Sequence, residues 1–315
     1  MSNTLTHLGI GIYASERKGQ YDDSIKNLLA DPQIIAWILR GTTKEFTNME
    51  IEEIIPYIEN PYVSLVPVNP GLTNKAIEGL PTESKIIGEG ALYYDVRFYA
   101  KIPGITDDKK PFRIIVDLEG QQKPNPGYSI PTRGIAYGSR MISEQFGRTI
   151  IDGNYDRLEK VYSIWLVFKC NKEIANTIIS YSIDQSFIYG ECTYKQRYDV
   201  LSVVMISIPE YGKLCKVNNE PSELHKMLYD IFVEKNSAKE KIEIIKEKYN
   251  LISETLERRI NVMCNLSEAL VEDTRKASVN IAKLFMQGKT SEEIEELTDY
   301  PLDLIEEVKA DLEEQ

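Results

Sequence analysis

Apolar residues first recur at helical spacing. In residues 22–40, Ile25, Leu28, Leu29, Ile35, Ile38 and Leu39 fall three, four or seven apart, the mark of helices with one buried face. Pro32 is placed to break this run into two short helices, and Gly41 sits where a C-terminal stop is expected. Residues 49–57 predict a short acidic helix ending near Pro56. Residues 1–20 show no sustained pattern and are read as a loosely structured, flexible N-terminus. Their Gly9-Ile-Gly11 follows no strand, so it is not read as a dinucleotide turn. Residues 58–88 carry Pro61, Pro67, Pro70, Pro81, Gly71, Gly79 and Gly88 and predict a long irregular loop.

The period then changes to two. Residues 91–100 and 112–122 are β-rich, and the connection between them carries Pro103-Gly104 and Asp107-Asp108, which predicts a hairpin. On its second strand Phe112, Ile114, Val116 and Leu118 line one side, and Asp117, Glu119 and Gln121 the other. A helix is predicted over 131–146, entered through serine, threonine and proline and closed by Gly147. Residues 161–168 and 200–208 are apolar enough for strands buried on both faces. Helix, strands, helix, strand, strand is the order of an α/β layered domain. Beyond about 222 the chain turns helical. Residues 235–249 alternate charge, 256–289 carry apolar residues three and four apart, and two segments follow at 290–297 and 299–309, with Ser291 and Asp303 as candidate caps. The expected division is a flexible 1–20, an α/β domain at 21–215 and a helical C-terminal region at 216–315.

Composition narrows the chemistry. With 42% hydrophobic and 27% charged residues the chain is a folded globular protein. It has no apolar run of the roughly 18 to 20 residues that would span a bilayer. A cytoplasmic protein without membrane partners is the expectation. The net charge of -12 is concentrated at one end, because residues 291–315 hold eleven acids against Lys309. The remaining body is nearly neutral and so is compatible with a polyanionic partner. Four scattered cysteines, Cys170, Cys192, Cys215 and Cys264, read as reduced core thiols. Only His7 and His225 are available, which argues against histidine-dependent hydrolysis and zinc sites. Carboxylates are left to carry any hydrolytic chemistry.

The polar face of the second hairpin strand is the candidate. Tyr93, Asp95 and Arg97 share a face of the first strand, and a hairpin brings Asp95 beside Glu119. Mg²⁺ takes one or two carboxylates and keeps water for the rest, so Asp95 and Glu119 suit it. Asp117 shares the face but is read as a surface ion pair rather than a ligand.

At these residues the chain resembles the PD-(D/E)XK nuclease superfamily, and within it the recombination-promoting nuclease and transposase-like branch. The matching pieces are Tyr21-Asp22-Asp-Ser-Ile-Lys26, Tyr94-Asp95-Val-Arg-Phe98, Val116-Asp-Leu-Glu-Gly-Gln-Gln122, Arg133-Gly-Ile-Ala-Tyr137 with Ser139-Arg-Met-Ile142, and Val161-Tyr-Ser-Ile-Trp165. They cover roughly residues 20–210, with a looser likeness at Gly288-x-Thr-x-Glu-Glu-Ile294. The resemblance implies a restriction-endonuclease-like central mixed sheet flanked by helices, and a Mg²⁺- or Mn²⁺-dependent DNA endonuclease of a mobile-element or prophage setting. It implies Asp95 and Glu119 as metal ligands and Gln121 in place of the lysine of the motif. Asp22, Arg97, Arg133 and Tyr137 become supporting residues. Glutamine lacks the lysine's charge, so Arg97 or Arg133 is expected to supply it. The alternative expectation is a catalytically inactive nuclease-like fold that binds a protein or nucleotide. Lys235, Lys239, Lys241, Lys246, Lys248, Arg258 and Arg259 are read as a solvated helical face. The acidic C-terminal segments argue against a DNA-reading helix-turn-helix and suggest homo-oligomerisation through the C-terminal helices.

Overall fold

The computed structural model describes residues 7–63, 83–84, 92–93, 95–106, 111–121, 124–147, 149–150, 153–214, 219–298 and 300–313. Its helices are α1 (His7–Leu29), α2 (Pro32–Thr42), α3 (Ile51–Ile54), α4 (Ile130–Ser143), α5 (Glu223–Phe232), α6 (Ala238–Tyr249), α7 (Glu254–Met286), α8 (Ser291–Thr298) and α9 (Leu302–Glu313). The strands are β1 (Ile58–Val63), β2 (Glu83–Ser84), β3 (Leu92–Tyr93), β4 (Val96–Thr106), β5 (Pro111–Gln121), β6 (Lys160–Phe168), β7 (Ile178–Ser182) and β8 (Leu201–Ile208). The fold is α/β: a six-stranded mixed sheet flanked by helices, followed by a helical C-terminal region. The chain divides into two compact units, residues 26–236 with 240–256, and residues 1–25 with 237–239 and 257–315.

The larger unit holds the sheet, in the order β1-β4-β5-β6-β8-β7. β1, β4 and β5 pair antiparallel, β5, β6 and β8 pair parallel, and β7 closes the far edge antiparallel to β8. The parallel step from β5 to β6 requires a crossover, and α4 lies within it. Register fixes which residues share a face. Arg97, Asp117, Ser163 and Val203 stand in one row across the sheet, and Val96, Leu118, Ile164 and Val204 in the next. The second row belongs to the apolar face and is fully buried.

The first row lies on the face covered by α4, whose buried residues Ile130, Tyr137 and Met141 pack on Ile115, Val161, Trp165, Val203 and Met205. α4 starts at Ser129, whose hydroxyl accepts the Thr132 N–H, with Pro131 in the first turn where its missing donor is harmless. Two glycines let it lie close to the sheet. A Cβ at Gly134 would stand 2.5 Å from a Val203 methyl and 3.0 Å from Trp165 Nε1, and one at Gly138 would stand 2.3 Å from a Leu201 methyl.

Several expectations change here. Residues 7–20 belong to α1 rather than a loose segment. Pro32 does separate two helices, with Asp31 capping the second through the Gln33 N–H at 3.0 Å. Gly41, however, lies inside α2; a Cβ there would stand 2.6 Å from Leu224 of α5, so the glycine serves close helix packing and not a stop. Residues 58–63 form β1 despite Pro61, which an edge strand tolerates. Most of 58–88 and the Asp107-Asp108 turn lie outside the described residues. Cys192 is exposed, unlike buried Cys170 and Cys264, and Cys215 lies outside the described residues. Lys241 is buried rather than solvated: its ammonium donates to the carbonyls of Asp230, Ile231 and Glu234 at 3.2, 2.7 and 2.6 Å and closes the end of α5. His225 is also buried, between Ser222 Oγ and the Thr177 carbonyl.

In the smaller unit α8 begins with a capping box. The Thr290 hydroxyl accepts the Glu293 N–H and the Glu293 carboxylate accepts the Thr290 N–H. The cap is therefore Thr290, and Ser291 is buried in the first turn. Ala277, Ile281, Ile294, Tyr300, Ile305 and Val308 form this unit's core.

Candidate acidic site on the central sheet

The β4–β5 pairing brings Asp95 and Glu119 together. Asp95 precedes β4, and its backbone N–H donates to Glu119 Oε1 at 3.0 Å. In return the Gly120 N–H donates to Asp95 Oδ2 at 3.0 Å. Each carboxylate is thus oriented by the backbone of the other's strand. Asp95 Oδ1 is met by Lys26 Nζ at 3.1 Å. Sequence reasoning missed this lysine, which comes from α1, far upstream in the chain.

Asp117 is the second residue missed in this role. It is 0% exposed, so it forms no surface ion pair. Ser163 Oγ donates to Asp117 Oδ2 at 3.0 Å and itself accepts from Trp165 Nε1 at 2.8 Å, a relay built by the Asp117–Ser163 register. Asp117 Oδ1 meets no donor among the described residues, and the Asp117 and Glu119 carboxyl groups are close enough to share one proton. Burial pushes Asp117 up to about 7, and the Asp95 charge adds to this while Ser163 and Arg97 oppose it. Burial also raises Glu119 well above the ordinary carboxylate range, reinforced by the like charges of Asp117 and Asp95.

The expected cations divide in role. Arg97 stands opposite Asp117 but is buried, and its guanidinium donates to Glu144 Oε2 at 2.6 Å. It ties β4 to the end of α4. Arg133 is partly exposed on α4. Its guanidinium lies 5.0, 5.4 and 5.4 Å from the Tyr137, Tyr128 and Trp165 ring centroids, and it donates to both tyrosine hydroxyls. The Tyr137 ring stands 5.4 Å from Trp165. Burial and the Glu119 charge push the Tyr137 phenol up to about 12 against the pull of Arg133, so it stays protonated at neutral pH. Gln121 ends β5 on the same face, half-buried. Asp22 belongs to α1 in the smaller unit, whereas the other candidates belong to the larger one.

The donors are all oxygen, the chemistry of a hard divalent cation. Among the described residues no three His, Cys, Asp or Glu side chains gather as a closed metal cage. The residues offer two carboxylates, Asp95 and Glu119, held by each other's backbone, with Asp117 buried beside them, and burial is the chief cause of the raised proton affinity of Asp117 and Glu119.

No family model matches the chain, and no solved structure does. Part of it is similar to the LETM1 domain-containing protein mdm28, mitochondrial, of Schizosaccharomyces pombe, at 31% identity over 102 residues. The match takes in 32% of this chain and spans 19% of that protein's length, which defines no family. Among the described residues no helix is long and apolar enough to cross a membrane.

Proposed function

We propose that the protein is a divalent-metal-dependent DNA endonuclease that hydrolyses phosphodiester bonds, of the PD-(D/E)XK transposase-like type that its motifs resemble. The observation that carries this is the reciprocal bonding of Asp95 and Glu119 beside the buried Asp117. Asp95 and Glu119 would hold Mg²⁺ or Mn²⁺, whose chemistry when bound is polarisation of a phosphate oxygen and acidification of water. Lys26 would bring to the site the charge that Gln121 lacks, and the role of the Gln121 amide would be to orient a water by hydrogen bonds. Arg133, pinned by its aromatic neighbours, offers a preformed cation for a backbone phosphate. α4 and Trp165 exclude solvent from beneath Asp117, which strengthens electrostatic interactions at the site.

The test is plasmid nicking with Mg²⁺ or Mn²⁺. Wild-type protein is expected to nick, and Asp95→Ala and Glu119→Ala to lose the activity; equal cutting by the variants would remove the assignment. One observation favours a second reading, an inactive fold that binds a protein or nucleotide: Lys26 and the Gly120 N–H already satisfy both Asp95 oxygens. Absence of both cleavage and calorimetric heat on Mg²⁺ titration would select that reading.

A further inference from the structure

The two edges of the sheet differ in character. β1 carries Glu59 and Pro61, and its register with β4 slips between Glu59 and Tyr62. Charge, proline and a bulge are the devices by which edge strands avoid pairing with other chains. β7 has none of them. Ile178-Ile-Ser-Tyr-Ser182 contains neither charge nor proline, and the chain stays uncharged from Asn176 to Ile183. The Ser207 N–H donates to the Thr177 carbonyl at 2.9 Å. Antiparallel alternation from that pair turns Ile179 and Tyr181 toward β8 and aims the backbone groups of Ile178, Ser180 and Ser182 outward. Ser180, Tyr181 and Ser182 are exposed.

β7 runs into residues 183–200, an irregular segment much longer than the usual two to five residues of a hairpin connection. Its large apolar side chains are left in water: Ile188 is 101% and Tyr189 99% exposed, with Phe187 and Tyr194 also exposed. Contiguous exposure of this kind marks an interaction surface. The outgoing limb carries Asp184 and Glu191, and the returning limb Lys195 and Arg197; Arg197 spends one N–H on the Asp156 carbonyl at 2.9 Å, and Lys195 is exposed. Asp199, at its base, is bound to Lys160 at 2.8 Å.

We propose that the β7 edge and the 183–200 arm form the interface of a two-fold homodimer, in which β7 pairs antiparallel with β7 of a second copy and the arms pack across the axis. Charge distribution argues for a second copy. An uncharged strand selects no oppositely charged partner, and acidic and basic limbs on one arm allow each to meet its complement on the other, the reciprocity a two-fold axis demands. An arm with three acids against two bases is poorly suited to a polyanion. This location differs from the C-terminal helices that sequence reasoning favours for self-association.

Sedimentation equilibrium of the full chain over a dilution series tests the proposal. Two variants are compared with wild type: Ser180→Pro, which removes an outward N–H, and a double variant with Ile188→Glu and Tyr189→Glu, two side chains on which the fold does not rest. Wild type is expected to be a dimer that dissociates on dilution, and each variant to weaken dimerisation by about tenfold or more with an unchanged circular dichroism spectrum. Hydrogen exchange at the Ser180 amide should be slow in concentrated wild type and fast in dilute samples. A wild type that stays monomeric overturns the proposal, as does a dimer that the arm variant leaves unchanged, which would place self-association elsewhere. If Ser180→Pro loses its fold, the arm variant decides.

Discussion

Replacing Asp117 by asparagine keeps the shape and removes one of two crowded charges. In the wild type the Asp117 carboxyl is raised from its ordinary value near 3.8 to about 7, chiefly by burial. A carboxyl raised in the folded state costs nothing when protonated in both states. The cost begins as pH rises past the unfolded value, where only the unfolded chain ionises, and is complete above the folded value. At about 1.36 kcal/mol per pH unit, the penalty is roughly 2 kcal/mol at pH 5 and roughly 4 kcal/mol at pH 8. The asparagine side chain does not ionise and carries no such penalty. Its oxygen can still accept from Ser163, and its amide can donate to Glu119. The stability advantage of Asp117→Asn over wild type should therefore grow by about 2 to 3 kcal/mol between pH 5 and pH 8 without metal, or roughly 5 to 10 °C in Tm for a domain of this size. Thermal melts of both proteins across that range in EDTA measure it. An advantage that stays constant with pH, or a variant less stable than wild type at pH 8, would show that Asp117 is not a strained buried acid.

Other outcomes follow from the same geometry. Lys26→Ala should lower Mg²⁺-dependent nicking by about 10²- to 10³-fold, the range for losing one preorganised electrostatic group, and Lys26→Arg should retain part of the rate; steady-state nicking kinetics checks both. Gly134→Ala places a methyl against Val203 and Trp165 and should cost about 1 to 3 kcal/mol, the usual range for overpacking, as read by urea denaturation. Asp31→Ala removes the cap that accepts the Gln33 N–H and should cost about 1 kcal/mol, read the same way. Burial lowers the affinity of His225 for a proton, so the unfolded chain binds that proton more readily. Its contribution is intact above the ordinary histidine range and falls away as pH drops below it; His225→Gln should flatten that acid limb in melts between pH 7 and pH 5.

The β4–β5 pair and both buried parallel strands are legible in the sequence because alternation and unbroken apolar runs are local signals. Alternation, though, identifies a side of a strand and not what covers it. Asp117 reads as a surface acid because nothing near it announces that α4 will lie above it. Lys26 is invisible as a site residue because its meeting with Asp95 depends on where α1 ends in space. β1 is hidden by Pro61, which counts against a strand interior but not an edge. β7 escapes notice because five residues, most of them exposed, leave no apolar signature. Gly41 misleads because a glycine at a helix stop and a glycine at a tight helix contact look the same along the chain.

The connectivity around β5 also orders the assembly of the site. β4 and β5 are neighbours in sequence and can zip together early, but β5 meets β6 only after the crossover containing α4 has closed, and such non-local pairing is slow. If β6 docks last, Asp117 and Glu119 should stay hydrated and free to ionise until α4 and β6 cover them. Alkaline conditions should slow that late step of refolding and hasten its reversal, so the acids shorten the lifetime of the native state as well as lowering its equilibrium stability.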